Sequence, residues 1–413
     1  MRITVRALAT ITVLGGLAVL TACGSSGPAT WHAPGSQATT GAPGAPVITA
    51  PADGSTNVPT SAEIALTGAA ATTTITLTDS TGAAVEGKLR PDRSTWLPAT
   101  QLKYKTTYTA TLGGTGKKVT FTTMDRPNRL VRVSTPLFDG QVYGVALPIV
   151  VDLGSDIPTD QRANVERRLL VTSVPAQVGA WHWFSGSEVH YRPREYWQEG
   201  TTLSVRLATG GLPLGGTAYG ARDVTIQATI GEKIVMSTDD ATHTMTVQRR
   251  DQVVRSIPVS LGKPSKPSSS GAMVVMAKNQ SELFVSTTPG DSYRVMVYWT
   301  QRLTWDGEYL HAAPWSVGDQ GKRNVSHGCT NMSTENARWL FGISHVGDPV
   351  IVKGTPRKLA WGNGWSDWDR AWEEYVKGSA LPAPASGPAN PGSGTATPSP
   401  GAATPSSGTT TTD

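Results

Sequence analysis

Between residues 46 and 230 the apolar residues fall in short alternating runs, and turn signals separate those runs. Ile64-Ala65-Leu66, Thr74-Ile75-Thr76-Leu77-Thr78 and Val119-Thr120-Phe121-Thr122 are such runs, and Ala52-Asp53-Gly54, Ser80-Thr81-Gly82 and Leu112-Gly113-Gly114 are the breaks. A period of two suits a strand with one face in a core and cannot pack as a helix. The 44 Gly and 29 Pro in 413 residues are too many for a helical bundle and too few for collagen. The spacing therefore predicts β-sandwiches.

The pattern occurs twice. Pro98…Thr106-Thr107-Tyr108…Leu112 has the spacing of Pro193…Thr201-Thr202-Leu203…Leu207, and each is followed by a strand, Val119–Thr123 and Val224–Ala228. Two successive immunoglobulin-like domains follow, 46–125 and 126–230, the second with an insert around Asp156–Arg168. Trp181 and Trp183 share one sheet face, which favours core packing over a glycan-binding platform. A third segment, 231–356, opens with strands at Lys233–Ser237, Thr244–Arg249 and Val253–Ser260 and closes with Pro349–Lys353. Its one helix begins after Cys329, with Ser333 as N-cap and Ala337, Leu340 and Phe341 on the buried side. In the element 357–378, Trp361, Trp365, Trp368, Trp372 and Tyr375 are spaced for a helix from Trp365, capped by Ser366, ended by Gly378 and docked on the preceding domain. The expected fold class is mainly β.

The chain ends differ in composition. Arg2 and Arg6 precede the uncharged stretch Ala7–Ala22, too short to span a bilayer comfortably, so 1–22 reads as an export signal. Leu20-Thr21-Ala22-Cys23 resembles the bacterial lipobox, in which the thiol after the cut carries lipid. Residues 23–45 then form a lipidated linker, and the protein would sit on the outer face of the cell membrane. The tail 379–413 is Ala/Pro/Ser/Gly/Thr-rich and reads as disordered. A net charge of +5 with no cluster of basic and aromatic residues argues against nucleic acid as a partner.

With Cys23 lipidated, Cys329 is the one free thiol of the two cysteines. His311 and His327 lie within about twenty residues of it. A thiolate nucleophile needs an imidazole to take its proton and N–H donors for an oxyanion. Gly328 permits close approach of the backbone, and the Cys329 amide lies just before the expected helix start, whose dipole would favour negative charge. Two His and one Cys could instead ligate zinc, or simply pack.

His311-Ala312-Ala313-Pro314-Trp315-Ser316-Val317-Gly318 followed by Ser326-His327-Gly328-Cys329-Thr330-Asn331 resembles the signature of the L,D-transpeptidases, the YkuD catalytic domain. The domain order resembles that of the actinobacterial, mycobacterial-type lipoproteins with two Ig-like domains. The resemblance implies that Cys329 is the nucleophile, His311 its general base, and His327 a second histidine shaping the site. It implies that Gly328 and Cys329 supply oxyanion amides, and that Tyr293, on a flap from Ser286, helps to line that site. Asn331 organises the loop, and Ala312 orients His311 through its carbonyl where several relatives have Ser. The implied reaction joins peptidoglycan stem peptides. A donor tetrapeptide acylates Cys329 as thiolate and a diaminopimelate amine accepts, giving a 3→3 cross-link. No cofactor or metal is implied, and β-lactams, carbapenems above all, are the implied inhibitors. An L,D-carboxypeptidase and a non-catalytic wall-binding lipoprotein are the competing readings. Cys23→Ser is expected to move the protein out of the detergent-soluble membrane fraction; unchanged partitioning would remove the lipid anchor.

Overall fold

The computed structural model describes residues 45–382, leaving out 288, 290 and 291. Cys23, the export signal and most of the tail lie outside the described residues. Three hydrophobic cores follow one another along the chain. The first lies between a four-stranded and a five-stranded sheet. Thr107–Leu112 shows why: Tyr108, Ala110 and Leu112 point inward and are buried, while the threonines between them are half-buried. The second sandwich packs Leu203, Val205 and Leu207 against Trp181, Trp183 and Val189. Its insert carries an α-helix, Thr159–Glu166.

The two sandwiches are joined by buried charge. Glu63 of the first accepts from Arg90 Nε at 2.8 Å and lies 3.0 Å from Arg168 Nε of the second. The two guanidiniums outweigh burial and hold its carboxyl down to about 2.

The third unit contains a six-stranded mixed sheet and a four-stranded sheet. Ile234–Asp239 pairs antiparallel with Thr244–Arg249 and parallel with Pro349–Lys353 at the centre of the larger sheet. The expected helix forms at Thr334–Ile343, and Ser333 Oγ accepts from Asn336 N at 3.2 Å. A strand, Thr330–Met332, separates it from Cys329. The helix therefore does not start beside the thiol, and the expected dipole argument fails. The boundary at 356 also shifts, because Arg357–Lys358 pairs with Ser269–Ser270 as an edge strand.

The C-terminal element departs most from expectation. It is a 3-10 turn at Asp367–Asp369, one helical turn at Trp372–Tyr375, and a 3-10 turn at Val376–Gly378. Arg370 between them is extended (φ −124°, ψ 142°). Ser366 caps nothing; its hydroxyl accepts from Gly362 N. The physical reason is tertiary. Along Glu188–Pro193 the core side chains alternate with His190 and Arg192, which a bare sheet would expose, yet both are buried. The element covers them. Asp367 lies 3.1 Å from His190 Nδ1 and accepts from the Tyr375 hydroxyl at 2.9 Å. The Arg192 guanidinium lies 4.3 Å over Tyr375 and 4.4 Å over Trp368. Pulling Asp367 and Arg370 onto this sheet breaks the 3.6-residue period. The docking partner is thus mainly the second sandwich, although Asp369 also accepts from Ala272 N of the third unit at 2.8 Å. Order continues past 378: Ser379 Oγ and Ala380 N both donate to Glu166.

Burial alone would neutralise His190, but Asp367 and Glu188 overcome it and raise its pKa to about 9. Its folded pKa exceeds the unfolded value near 6.5. The stabilisation is therefore full below pH 6.5 and is lost as pH rises through about 9. Asp367→Ala removes the fully buried partner of the His190 cation, leaving it only the half-exposed Glu188, and is expected to cost about 3 kcal/mol near neutral pH. Urea unfolding followed by Trp fluorescence would measure it, and the deficit should shrink above pH 9.

Candidate functional site

Strand pairing assembles the site. Tyr309–Ala312 runs parallel to Thr330–Met332, with Leu310 opposite Thr330, His311 opposite Asn331 and Ala312 opposite Met332. Alternate residues share a face. Cys329, one step before the second strand, and Asn331 therefore lie on the face that carries Tyr309 and His311. Diagonal neighbours on paired strands are roughly 7–8 Å apart, within reach of a long side chain. Phe284, from the hairpin of Ala277–Ser286 and Tyr293–Arg302, touches both Tyr309 and His311, with ring centroids 4.7 and 5.6 Å away.

His311 is buried, and its Nδ1 lies 2.9 Å from the Ala312 carbonyl oxygen. A carbonyl only accepts, so Nδ1 carries the proton and Nε2 keeps its lone pair. The orienting contact expected of Ala312 is present. Burial lowers the His311 pKa to about 4, so the ring is neutral at pH 7.

Cys329 is half-buried. Its thiol donates to the Gly307 carbonyl at 3.6 Å, and the Tyr309 amide donates to the sulfur. Burial pushes the thiol up to about 12. The resting state is thus a neutral thiol and a neutral imidazole, not the thiolate expected from sequence. The sulfur has to lose its proton to attack an electrophile, and Nε2 of His311 is an imidazole atom able to take one.

Gly328 adopts φ +125°, which L side chains rarely enter. Its carbonyl accepts from Ser268 Oγ at 2.6 Å, and its amide donates to Ser326 Oγ at 3.1 Å. Ser326 Oγ in turn donates to the Cys329 carbonyl at 2.6 Å. The Gly328 amide is therefore committed to the loop, and the expected oxyanion role falls to other donors. Asn331 is buried and fixes the loop: Nδ2 donates to Ser316 Oγ at 3.1 Å, and its main chain exchanges two bonds with Ser260. Ser316 closes the 3-10 turn Pro314–Ser316 that follows His311, so Asn331 couples the two halves of the motif.

His327 is exposed at the rim. Its Nε2 accepts from Lys263 Nζ at 3.1 Å, and its ring lies 5.2 Å from that of Tyr293 at the foot of the flap. Trp315, more than half exposed, lies 6.1 Å from the His311 ring. Among the described residues no three His, Cys, Asp or Glu side chains form a metal cage. Sequence reasoning missed Gly307, Tyr309, Phe284, Ser268 and Lys263. Only Tyr309 carried a signal, the alternation Tyr309-x-His311.

A thiol gripped by backbone and an imidazole of fixed tautomer are the parts of a cysteine acyl-transfer centre on a β scaffold. The L,D-transpeptidase catalytic domain (YkuD) matches residues 233–352, and a bacterial Ig domain matches 55–213, across both sandwiches. L,D-transpeptidase 2 of Mycobacterium tuberculosis (strain CDC 1551 / Oshkosh) is 33% identical over 342 residues, 79% of this chain and 83% of that one. L,D-transpeptidase 5 of M. tuberculosis H37Rv is 35% identical over 327 residues, 76% of this chain and 72% of its own. A solved structure of the LD transpeptidase LdtMt1 in complex with imipenem is 33% identical over 54% of this chain and 100% of that one, with a TM-score of 0.47. The chain belongs to the L,D-transpeptidase family.

A neutral thiol–imidazole pair has a distinctive pH signature. Acylation of Cys329 by an activated ester is expected to plateau from roughly pH 5 to 9, because the base is already free above the His311 pKa. Stopped-flow rates would check this. A rise with a midpoint near 8.5 would instead indicate an unassisted thiolate.

Proposed function

We propose that this protein forms 3→3 cross-links in peptidoglycan through a thioester on Cys329. The observation that carries the reading is the His311 ring, locked on Ala312 O with Nε2 unprotonated, on the same sheet face as the sulfur. Nε2 takes the thiol proton as Sγ attacks the carbonyl of the third stem residue, diaminopimelate. The tetrahedral oxyanion is met by the Cys329 amide and the Tyr293 hydroxyl. It collapses by breaking the C–N bond to D-Ala, whose amine leaves with the proton from His311. The side-chain amine of a second stem then attacks the thioester. His311 takes that amine's proton and returns it to Sγ as the new amide forms. His327 and Tyr293 form the rim past which the acceptor enters.

The same chemistry supports β-lactams as inhibitors. A strained ring carbonyl acylates Cys329 and the opened ring stays tethered, obstructing the acceptor, so release is slow. The imipenem complex of the relative above agrees with this. We further propose that Cys23 is lipidated and holds the protein at the outer face of the membrane, with the two sandwiches as a spacer toward the wall.

Incubating residues 45–382 with a disaccharide-tetrapeptide should yield a dimer smaller by one D-Ala, identified by mass. Cys329→Ala should abolish it while melting as the wild type does. Free tripeptide without dimer would make the protein a carboxypeptidase. A carbapenem should add once, on the peptide containing Cys329. No dimer, no tripeptide and no adduct with the thiol reduced would leave a wall-binding protein.

A further inference from the structure

The Gly307-Glu308-Tyr309 tripeptide grips the sulfur from both ends: Gly307 through its carbonyl and Tyr309 through its amide. The residue between them is a buried carboxylate that the transfer chemistry does not use. Glu308 accepts from Ser269 N at 3.0 Å and from Ser269 Oγ at 2.7 Å, and its own amide donates to Thr304 Oγ1 at 2.9 Å. Its counter-charge is Arg357, whose guanidinium donates directly to Oε1 and, through Nε, to Ser269 Oγ at 3.0 Å. Asp306 lies 3.5 Å from the same guanidinium. Arg357 is not part of the matched catalytic region, which ends at 352. It arrives on the edge strand that opens the Trp-rich element, and that element is held on the second sandwich by Asp367, Trp368 and Tyr375.

We infer that Arg357 and Glu308 are positioning residues, through which the C-terminal element sets the reactivity of Cys329. The pair holds the gripping tripeptide in register and cancels a negative charge next to the sulfur. The other charged groups acting on the thiol are Asp306 and Glu282, and both disfavour the thiolate as Glu308 does. Arg357 is the cation that meets this acidic side directly. Burial also works against the Glu308 carboxylate, raising its pKa, and Arg357 with Ser269 is what opposes that. Without Arg357 the sulfur faces an uncompensated carboxylate.

The inference rests on Cys329 being the reactive thiol, but its test needs no peptidoglycan. In the full chain, alkylation of Cys329 by iodoacetamide is measured at pH 9, well above the ordinary carboxylate range. Below the thiol pKa the rate follows the thiolate fraction. Arg357→Met should slow alkylation roughly fivefold, the screened effect of one nearby charge. Glu308→Gln should accelerate it, and the double variant should return close to the wild-type rate. Arg357→Lys, which keeps the charge, should recover most of the loss. Opposite signs from the two partners are what a merely structural role does not produce. Wild-type alkylation by Arg357→Met, or equal slowing by both single variants with no recovery in the double, overturns the inference. If the expected pattern appears while the tetrapeptide assay yields no dimer, the transpeptidase reading fails and this one stands.

Discussion

The parallel pairing of Tyr309–Ala312 with Thr330–Met332 is the constraint from which the rest of the site follows. One residue of slip would turn Cys329 and Asn331 to the opposite face from His311. Several contacts prevent it. Asn331 exchanges two main-chain bonds with Ser260 and holds Ser316 through its side chain. Ser326 and Ser268 fix the loop before the cysteine. The hydroxyls here replace mobile solvent with short, directed bonds, which is how a loop of modest size can keep a sulfur in place.

Electrostatics at the site run opposite to those of an activated thiolate. Burial disfavours charge on both Cys329 and His311, so both are neutral at rest. A neutral thiol is a poor target for stray electrophiles. The arrangement gives up resting nucleophilicity.

Much of this was legible in the residues. The alternation of Thr107–Leu112 and the cap at Ser333 are local signals, and the strands and helix they predict are present. The His311 and Cys329 motifs were legible because strand pairing preserves a short-range order of residues. What could not be seen was set by partners distant in sequence. The Trp-rich segment has helical spacing, yet Asp367 answers to His190, about 180 residues earlier, and the helix breaks. The Gly328 amide was misjudged because nothing local announces that Ser326 takes its hydrogen bond. Glu308 and Arg357 each look like ordinary surface charges until Ser269 brings them together.

The covering of His190 and Arg192 by the last described segment has a consequence for the order of assembly. In a chain delivered from its N-terminus the second sandwich emerges before Asp367 and Tyr375, so that sheet must wait with two polar side chains and an unfilled aromatic seat. It can be finished only once the segment from Asp367 to Tyr375 has been delivered. Arg357 travels on the same late segment, so the thiol's surroundings are completed at that moment too. A protein truncated between Met332 and Arg357 would carry the whole cysteine motif and still lack the last piece of its frame.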